Sequence, residues 1–287
     1  MIIVIQCRDR VGLVAAIAGI LAEEQLNIVS MREHVGKAEN RFFMRLELEQ
    51  AGQPVGHPEP EQDRSGASLQ ESVPARLQEK MKTLLPEGAL IAVNPLPEKK
   101  VVVLVSKEYH CLADILVRHY FKTLGASVQC VIGNHTILKD ICRRFDMPFY
   151  LAEQESRIME ILSGHRPDYI ILAKFMRILS PAAVSAFPMR IINIHHSFLP
   201  AFAGAHPYRQ AFSRGVKLIG ATAHFVTDQL DEGPIIAQEI IPVNHSFTPS
   251  DMIRAGKEIE TSVLAKALGL LFEDRVFVCR NKTVVFE

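Results

Sequence analysis

The sequence carries no net charge: 32 lysines and arginines balance 32 aspartates and glutamates over 287 residues. No global positive field therefore draws nucleic acid or an anionic membrane toward it. Long hydrophobic runs are missing as well. The apolar stretches are strand-length, which excludes a transmembrane helix from the reading. The first six residues, M-I-I-V-I-Q, have neither a basic flank nor a small-residue cleavage site, so they read as a strand and not as a signal peptide. Cysteine is scarce. Cys7, Cys111, Cys130, Cys142 and Cys279 are odd in number and scattered, and no two have metal-ligand spacing. A reduced, cytoplasmic protein with no metal site is the simple expectation.

The chain is long for one domain, and its 48% hydrophobic content suffices for two cores. Residues 2–7 alternate around β-branched side chains and read as a strand. Asp9-Arg10-Val11-Gly12 reads as a turn whose Asp9 accepts N–H bonds at a helix start. Apolar residues at 13, 14, 17, 20 and 21 stripe a helix that continues to 24. Strands follow at 27–29 and 41–48. Residues 51–69, rich in glycine, proline and acids without periodicity, read as an inserted surface loop. A helix over 69–85, with Leu77, Met81 and Leu84 on one face, and a strand over 89–93 complete a unit spanning residues 1–94. Residues 95–100 read as the linker.

The second unit, 101–287, opens on V-V-V-L-V, an all-apolar run of the kind found in buried parallel strands. Helices near 111–124, 136–145 and 154–164 alternate with strands at 127–132 and 169–173. A long amphipathic helix over 252–273 precedes a hairpin of strands 276–279 and 283–286. Strand–helix alternation means a doubly wound, mostly parallel α/β sheet with ligands at the carboxyl ends of its strands.

The chemistry concentrates in residues 191–238. A short apolar strand there contains Asn193 and His195, which share a face because alternate strand residues do. A polar pair on one side of a core strand needs a reason, since an unpartnered buried amide is costly. A second strand, 220–226, empties into the turn T-D-Q-L-D-E-G-P. Buried asparagines are more often structural, and acidic turns are more often solvated surface. The spacing of Asn193 and His195 at a strand end, with acids downstream, shifts the balance to chemistry. The amide can stabilise an oxyanion, the imidazole can move a proton, and a carboxylate can orient the imidazole. Ser197 lacks the G-x-S-x-G elbow that would make it a nucleophile. Acyl transfer without a covalent intermediate fits this set. Strand alternation leaves His196 as a structural or supporting group, and His224 as a core residue or a support for the acidic turn.

N-I-H at 193–195, S-x-L-P at 197–200 and H-F-V-T-D-x-L-D-x-G-P at 224–234 resemble the signature of the folate-dependent formyltransferase family. The resemblance implies a Rossmann-like core in which Asn193, His195 and Asp231 form the catalytic triad. It also implies that Met176, Arg177, Ile178 and Leu179 line a pterin pocket, opposed by backbone from Val226 through Asp228 to Asp231. D-R-V-G-L at 9–13 and L-N-I at 26–28, in a β-α-β-β order, resemble the ACT domain, a small ferredoxin-like regulatory module. That likeness implies an amino-acid effector near Asp9, Arg10 and Gly12, and a homo-oligomer formed by edge-to-edge pairing.

The acceptor is the remaining question. Family members that formylate glycinamide ribonucleotide carry a Gly-Ser-Asn-type loop after the first strand, whose N–H groups cradle a phosphate. Here that turn is S-K-E-Y-H-C-L, without glycine and with a glutamate that would repel phosphate. Members acting on methionyl-tRNA append a basic domain, and with no net charge in this chain a tRNA acceptor is not expected. Water remains. An ACT unit joined to a core with S-K-E-x-H-C-L, G-N-H at 133–135 and N-I-H-H-S-F-L-P-A-F is similar, end to end, to the deformylases of the family. The resemblance implies hydrolysis of 10-formyltetrahydrofolate to formate and tetrahydrofolate, with the folate as substrate and not as retained cofactor, and with formate feeding purine synthesis. The alternatives are a transferase acting on an amine and a non-catalytic amino-acid sensor built on the ACT unit.

Overall fold

The computed structural model describes residues 1–50, 72–93, 98–200 and 207–287. Residues 51–71, with the loop read at 51–69 and the start of the helix read at 69–85, lie outside the described residues, as do 94–97, with the start of the linker, and 201–206. The chain divides into two units, Met1–Pro97 and Glu98–Val285.

In the first unit, alternating apolar residues make Ile2–Arg8 a strand, β1, that buries Ile3, Ile5 and Cys7. Leu13–Glu23 follows as α1, then Leu26–Gly36 as β2, Arg41–Gln50 as β3, Val73–Leu84 as α2 and Leu90–Val93 as β4. The sheet order is β2-β3-β1-β4, with every neighbouring pair antiparallel. Leu13, Ile17 and Leu21 of α1 and Leu77 and Met81 of α2 close the core over this sheet. This is the ferredoxin-like unit expected. Asp9, however, does not cap α1. The N-cap is Gly12 at φ 88°, a left-handed conformation that glycine adopts without a Cβ penalty. Asp9 instead donates its backbone N–H to the Asn40 carbonyl at 3.0 Å. Arg10 donates to the Leu84 carbonyl at the end of α2, 2.6 Å away. Asp9 through its backbone and Arg10 through its side chain thus tie the turn after β1 to the β2–β3 turn and to the end of α2.

The first strand of the second unit begins at Lys99, inside the stretch 95–100 read as linker. Lys99 pairs with Ala126 in the sheet, and its ammonium lies 3.0 Å from Asp274. A charged residue hides a strand start when its partner is distant in sequence. The strands are β5 (Lys99–Val105), β6 (Ala126–Gly133), β7 (Phe149–Leu151), β8 (Tyr169–Leu172), β9 (Ile191–His195), β10 (Leu218–Phe225) and β11 (Ile235–Pro242). The helices between and after them are α3 (His110–Tyr120), α4 (Lys139–Arg144), α5 (Glu155–His165), α6 (Pro181–Ala186), α7 (Pro207–Arg214) and α8 (Pro249–Phe272). A hairpin of β12 (Val276–Cys279) and β13 (Lys282–Val285) follows. The single helix read at 136–145 is a 3₁₀ turn, Thr136–Leu138, leading into α4. β7 has three residues, too few to show periodicity, and β11 interrupts its apolar run with Gln238 and Glu239, so neither was legible.

The sheet order is β11-β10-β9-β8-β5-β6-β7. It is parallel from β7 to β9, and β10 and β11 run antiparallel at one edge. β5 buries Val101, Val103 and Val105 on one face and Val102 and Leu104 on the other, each in a separate apolar cluster. The order reverses at β5, which opens a crevice beyond the carboxyl ends of the strands. A Thr248–Asp251 capping box starts α8, the long helix that covers one face.

Candidate active site

Register builds the site. β9 and β10 pair so that His224 lies opposite Asn193 and Thr222 opposite His195, and directly opposed residues share a face. Ile192 and Ile194 point the other way, into the apolar cluster beneath. His224 Nδ1 sits 2.8 Å from the Phe225 carbonyl, which can only accept, so Nδ1 carries the proton. Nε2 then accepts from the Asn193 amide at 3.3 Å. Burial lowers the pKa of His224, consistent with this neutral form. One amide N–H of Asn193 is thus fixed and the other is free to point at a ligand.

Asp231 completes the group. Its Oδ1 lies 3.3 Å from His195 Nδ1 and 3.7 Å from His224 Nε2. The hydrogen bond from His195 holds the Asp231 carboxyl below the ordinary carboxylate value, against the opposing effect of burial. With Nδ1 committed to Asp231, His195 Nε2 is buried and has no partner among the described residues. An orphaned imidazole nitrogen backed by a carboxylate is the arrangement of a general acid–base.

Two local features aim these side chains. Thr222 donates to the Ser197 carbonyl at 2.8 Å and accepts from the Leu199 amide at 3.1 Å, which pins the chain leaving β9. Gly233 closes the acidic turn over the end of β10, where a Cβ would lie 1.8 Å from the Phe225 carbonyl oxygen. Gly233→Ala therefore displaces Asp231 from His195. The expected outcome is a loss of about 10²-fold in turnover, since a misplacement of about 1 Å has that effect. Steady-state kinetics on the variant, with circular dichroism to show the fold intact, checks it.

A cavity of about 330 Å³ holds Asn193, His195, His224 and Asp231. Met176, Arg177, Ile178, Leu179, Val226 and Asp228, read as substrate contacts, line the same space. Met176 and Ile178 are 61% and 77% exposed, an apolar surface that a flat ring system would cover. The segment after β8 is not a helix start. Lys174 at φ 62° breaks the helical conformation, and the chain stays irregular until Ser180 caps α6.

His196 faces away from the amide but touches the site, its ring 5.1 Å from that of His195 and 6.2 Å from that of Tyr208. Burial, and then the charge of Lys174, pull its pKa down to about 3. A histidine kept neutral favours the folded chain above its unfolded value of 6.5. As pH falls from there toward 3, the unfolded chain takes up a proton the folded chain refuses, so stability falls. Thermal melts from pH 7 to pH 5 are expected to drop less steeply for His196→Gln than for the unaltered chain.

The sequence reading missed Glu260. It lies on the buried stripe of α8 among Ile259, Val263 and Leu264, and a lone carboxylate on an apolar stripe was the available signal. Its oxygens accept from His110 Nε2 at 2.8 Å and Tyr208 OH at 2.7 Å, and Lys174 Nζ lies 3.1 Å away. Burial pushes its pKa up, but the His110 hydrogen bond, the Lys174 charge and the Tyr208 hydrogen bond outweigh it and hold it at about 2. His110, Cys111 and Glu260 bring potential ligand atoms within 4.8 Å of one another. The Lys174 ammonium already balances the carboxylate, and burial keeps the Cys111 thiol protonated, so this is the donor set of an ion-paired cluster and not of a metal centre.

Residues 99–268 match the model of the family described as formyl transferase, and residues 1–54 match that of the ACT domain. The chain is 44% identical to the formyltetrahydrofolate deformylase of Escherichia coli strain K12, over 97% of this chain and 95% of the relative. It belongs to the formyltetrahydrofolate deformylase family. The deformylase of Haemophilus influenzae is likewise 44% identical, over 99% of this chain and 98% of the relative. The solved structure of a formyltetrahydrofolate deformylase from Pseudomonas syringae pv. tomato superimposes with a TM-score of 0.87 at 36% identity, covering 100% of this chain and 94% of that one. The resemblance read from the N-I-H and H-F-V-T-D motifs is thereby confirmed, as is the class of fold. No helix among the described residues is long and apolar enough to cross a membrane.

Proposed function

We propose that the chain hydrolyses 10-formyltetrahydrofolate to formate and tetrahydrofolate. The observation that carries this reading is His195 Nε2, buried and unpartnered, backed by the Asp231 carboxylate and beside the Asn193 amide. With the pterin in the apolar slot along Met176–Leu179, the formyl group meets these three side chains. Asp231 and His195 orient a water and take its proton as the oxygen attacks the formyl carbon. The free N–H of Asn193 donates to the oxyanion. His195 returns a proton to N10, the C–N10 bond breaks, and formate leaves. No step calls on a metal or a retained cofactor.

The S-K-E-Y-H-C-L turn after β5 offers no glycine cradle for a phosphorylated acceptor, which favours water over such an amine. The ACT unit is read as the seat of an amino-acid effector near Asp9, Arg10 and Gly12, in a homo-oligomeric, cytoplasmic enzyme whose formate supports purine synthesis. The direct test is release of formate from 10-formyltetrahydrofolate by the full chain with no amine added. Steady release supports the reading. Release only when an amine is supplied replaces it with a transferase, and binding without turnover replaces it with a sensor.

A further inference from the structure

The slot that holds the catalytic groups meets a larger cavity of about 610 Å³ at Lys174, Met176, Arg177 and His196. With folate in the slot, the larger cavity is the remaining approach to the formyl carbon. Lys174 stands at that junction in a conformation its residue type disfavours. Its φ of 62° lies in the left-handed region where glycine is the low-strain choice. Its side chain is only 7% exposed, and its ammonium is held 3.1 Å from a carboxylate that two further donors also fix. Tyr208, one of those donors, lies against Gly256, where a Cβ would sit 2.2 Å from the ring. A buried ion pair is seldom more stabilising than an apolar pair of the same volume, and a lysine at positive φ adds backbone strain. Both features stand on the wall of the cavity that holds Asn193, His195 and Asp231.

We propose that Lys174, fixed by Glu260, makes water the formyl acceptor and rejects amines. The proposal rests on the hydrolytic reading above. An amine adding to the formyl carbon becomes a cation in the tetrahedral adduct, and an ammonium fixed at the acceptor's approach opposes it. Glu260 offsets the Lys174 charge only in part: at the neighbouring His196 the effect of Lys174 outweighs that of Glu260. Water loses its proton to His195 and Asp231 as it adds, so its adduct is an anion and its product a carboxylate. The same ammonium favours both. In hydrolysis the water O–C bond forms, the C–N10 bond breaks, one proton goes to N10 and the other is released as formate ionises. In the excluded transfer an amine N–C bond forms, the C–N10 bond breaks and the amine's proton ends on N10. Both reactions balance without an oxidant or reductant.

The test gives the full chain 10-formyltetrahydrofolate together with glycinamide and measures formate and N-formylglycinamide. Lys174→Gly relieves the left-handed backbone and leaves Glu260 its bonds to His110 and Tyr208, while Lys174→Met keeps volume without charge. In both, the ratio of formylated amine to formate is expected to rise at least about ten-fold over the unaltered chain. Lys174→Arg, which keeps the cation, is expected to stay with formate. A merely structural lysine would lower both products together and leave their ratio fixed. An unchanged ratio in Lys174→Gly and Lys174→Met overturns the role given to Lys174 alone. Absence of formate from the unaltered chain removes the hydrolytic reading, and this one with it.

Discussion

Asp231→Asn lowers formate release by about 10³-fold, the scale of a lost general acid–base. The substitution isolates the charge. Asp231 adopts φ 57°, and asparagine, like aspartate, tolerates that left-handed conformation, so the turn keeps its path. What is lost is the carboxylate 3.3 Å from His195 Nδ1, which sets the tautomer that leaves Nε2 free. An asparagine that offers its NH₂ to Nδ1 reverses the tautomer and places the proton on Nε2, where it cannot accept one from water. Folate binding is expected to survive, because the apolar slot is untouched. The pH profile carries a further sign. The hydrogen bond from His195 holds the Asp231 carboxyl below its ordinary value, so the charged form persists through neutral pH. Activity falls on the acid side as pH drops through that lowered value, and this limb is expected to vanish from the residual rate of the variant. Single-turnover formate release, followed from pH 8 down past the ordinary carboxylate value of 3.8, reads both effects. Turnover within about ten-fold of the unaltered chain would remove Asp231 from the chemistry.

Asn193→Ala costs about 10²-fold or more in turnover, with little change in the apparent affinity for folate. A donor that binds only the developing oxyanion contributes to the transition state and not to the ground state, so the loss appears in kcat. His224 gives this prediction a second arm. Its Nε2 accepts one amide hydrogen of Asn193 and so directs the other toward the formyl oxygen. His224→Ala is expected to retain about a tenth of the activity, since the donor remains but is no longer oriented. Combined with Asn193→Ala it is expected to add nothing, because both substitutions remove the same interaction. A fully additive double variant would separate the two side chains.

Much of the catalytic strand was legible locally. Alternation along I-I-N-I-H places Asn193 and His195 on one face whatever the strand packs against, because side chains alternate with the pleat. The Gly-Pro pair after the acidic turn marks where the chain reverses, and all-apolar V-V-V-L-V marks a strand buried on both faces. Such features depend on neighbours within a few residues. Others depend on which distant segments meet. The pairing of His224 with Asn193 is fixed by the antiparallel docking of β10 on β9, and a shift of one residue would have turned His224 to the opposite face. Glu260 and Lys174 come from α8 and the end of β8, and neither segment alone shows that its charge has a partner. Even the first residue of β5 was concealed, since Lys99 is buried only because Asp274 lies beside it. The sequence by itself determined the facing of the triad's strand, the acidic turn and the two-unit plan, because short-range periodicity and turn chemistry suffice for those. The tertiary structure decided which imidazole holds the amide and which buried cation lines the same cavity, because long-range packing alone brings those groups together.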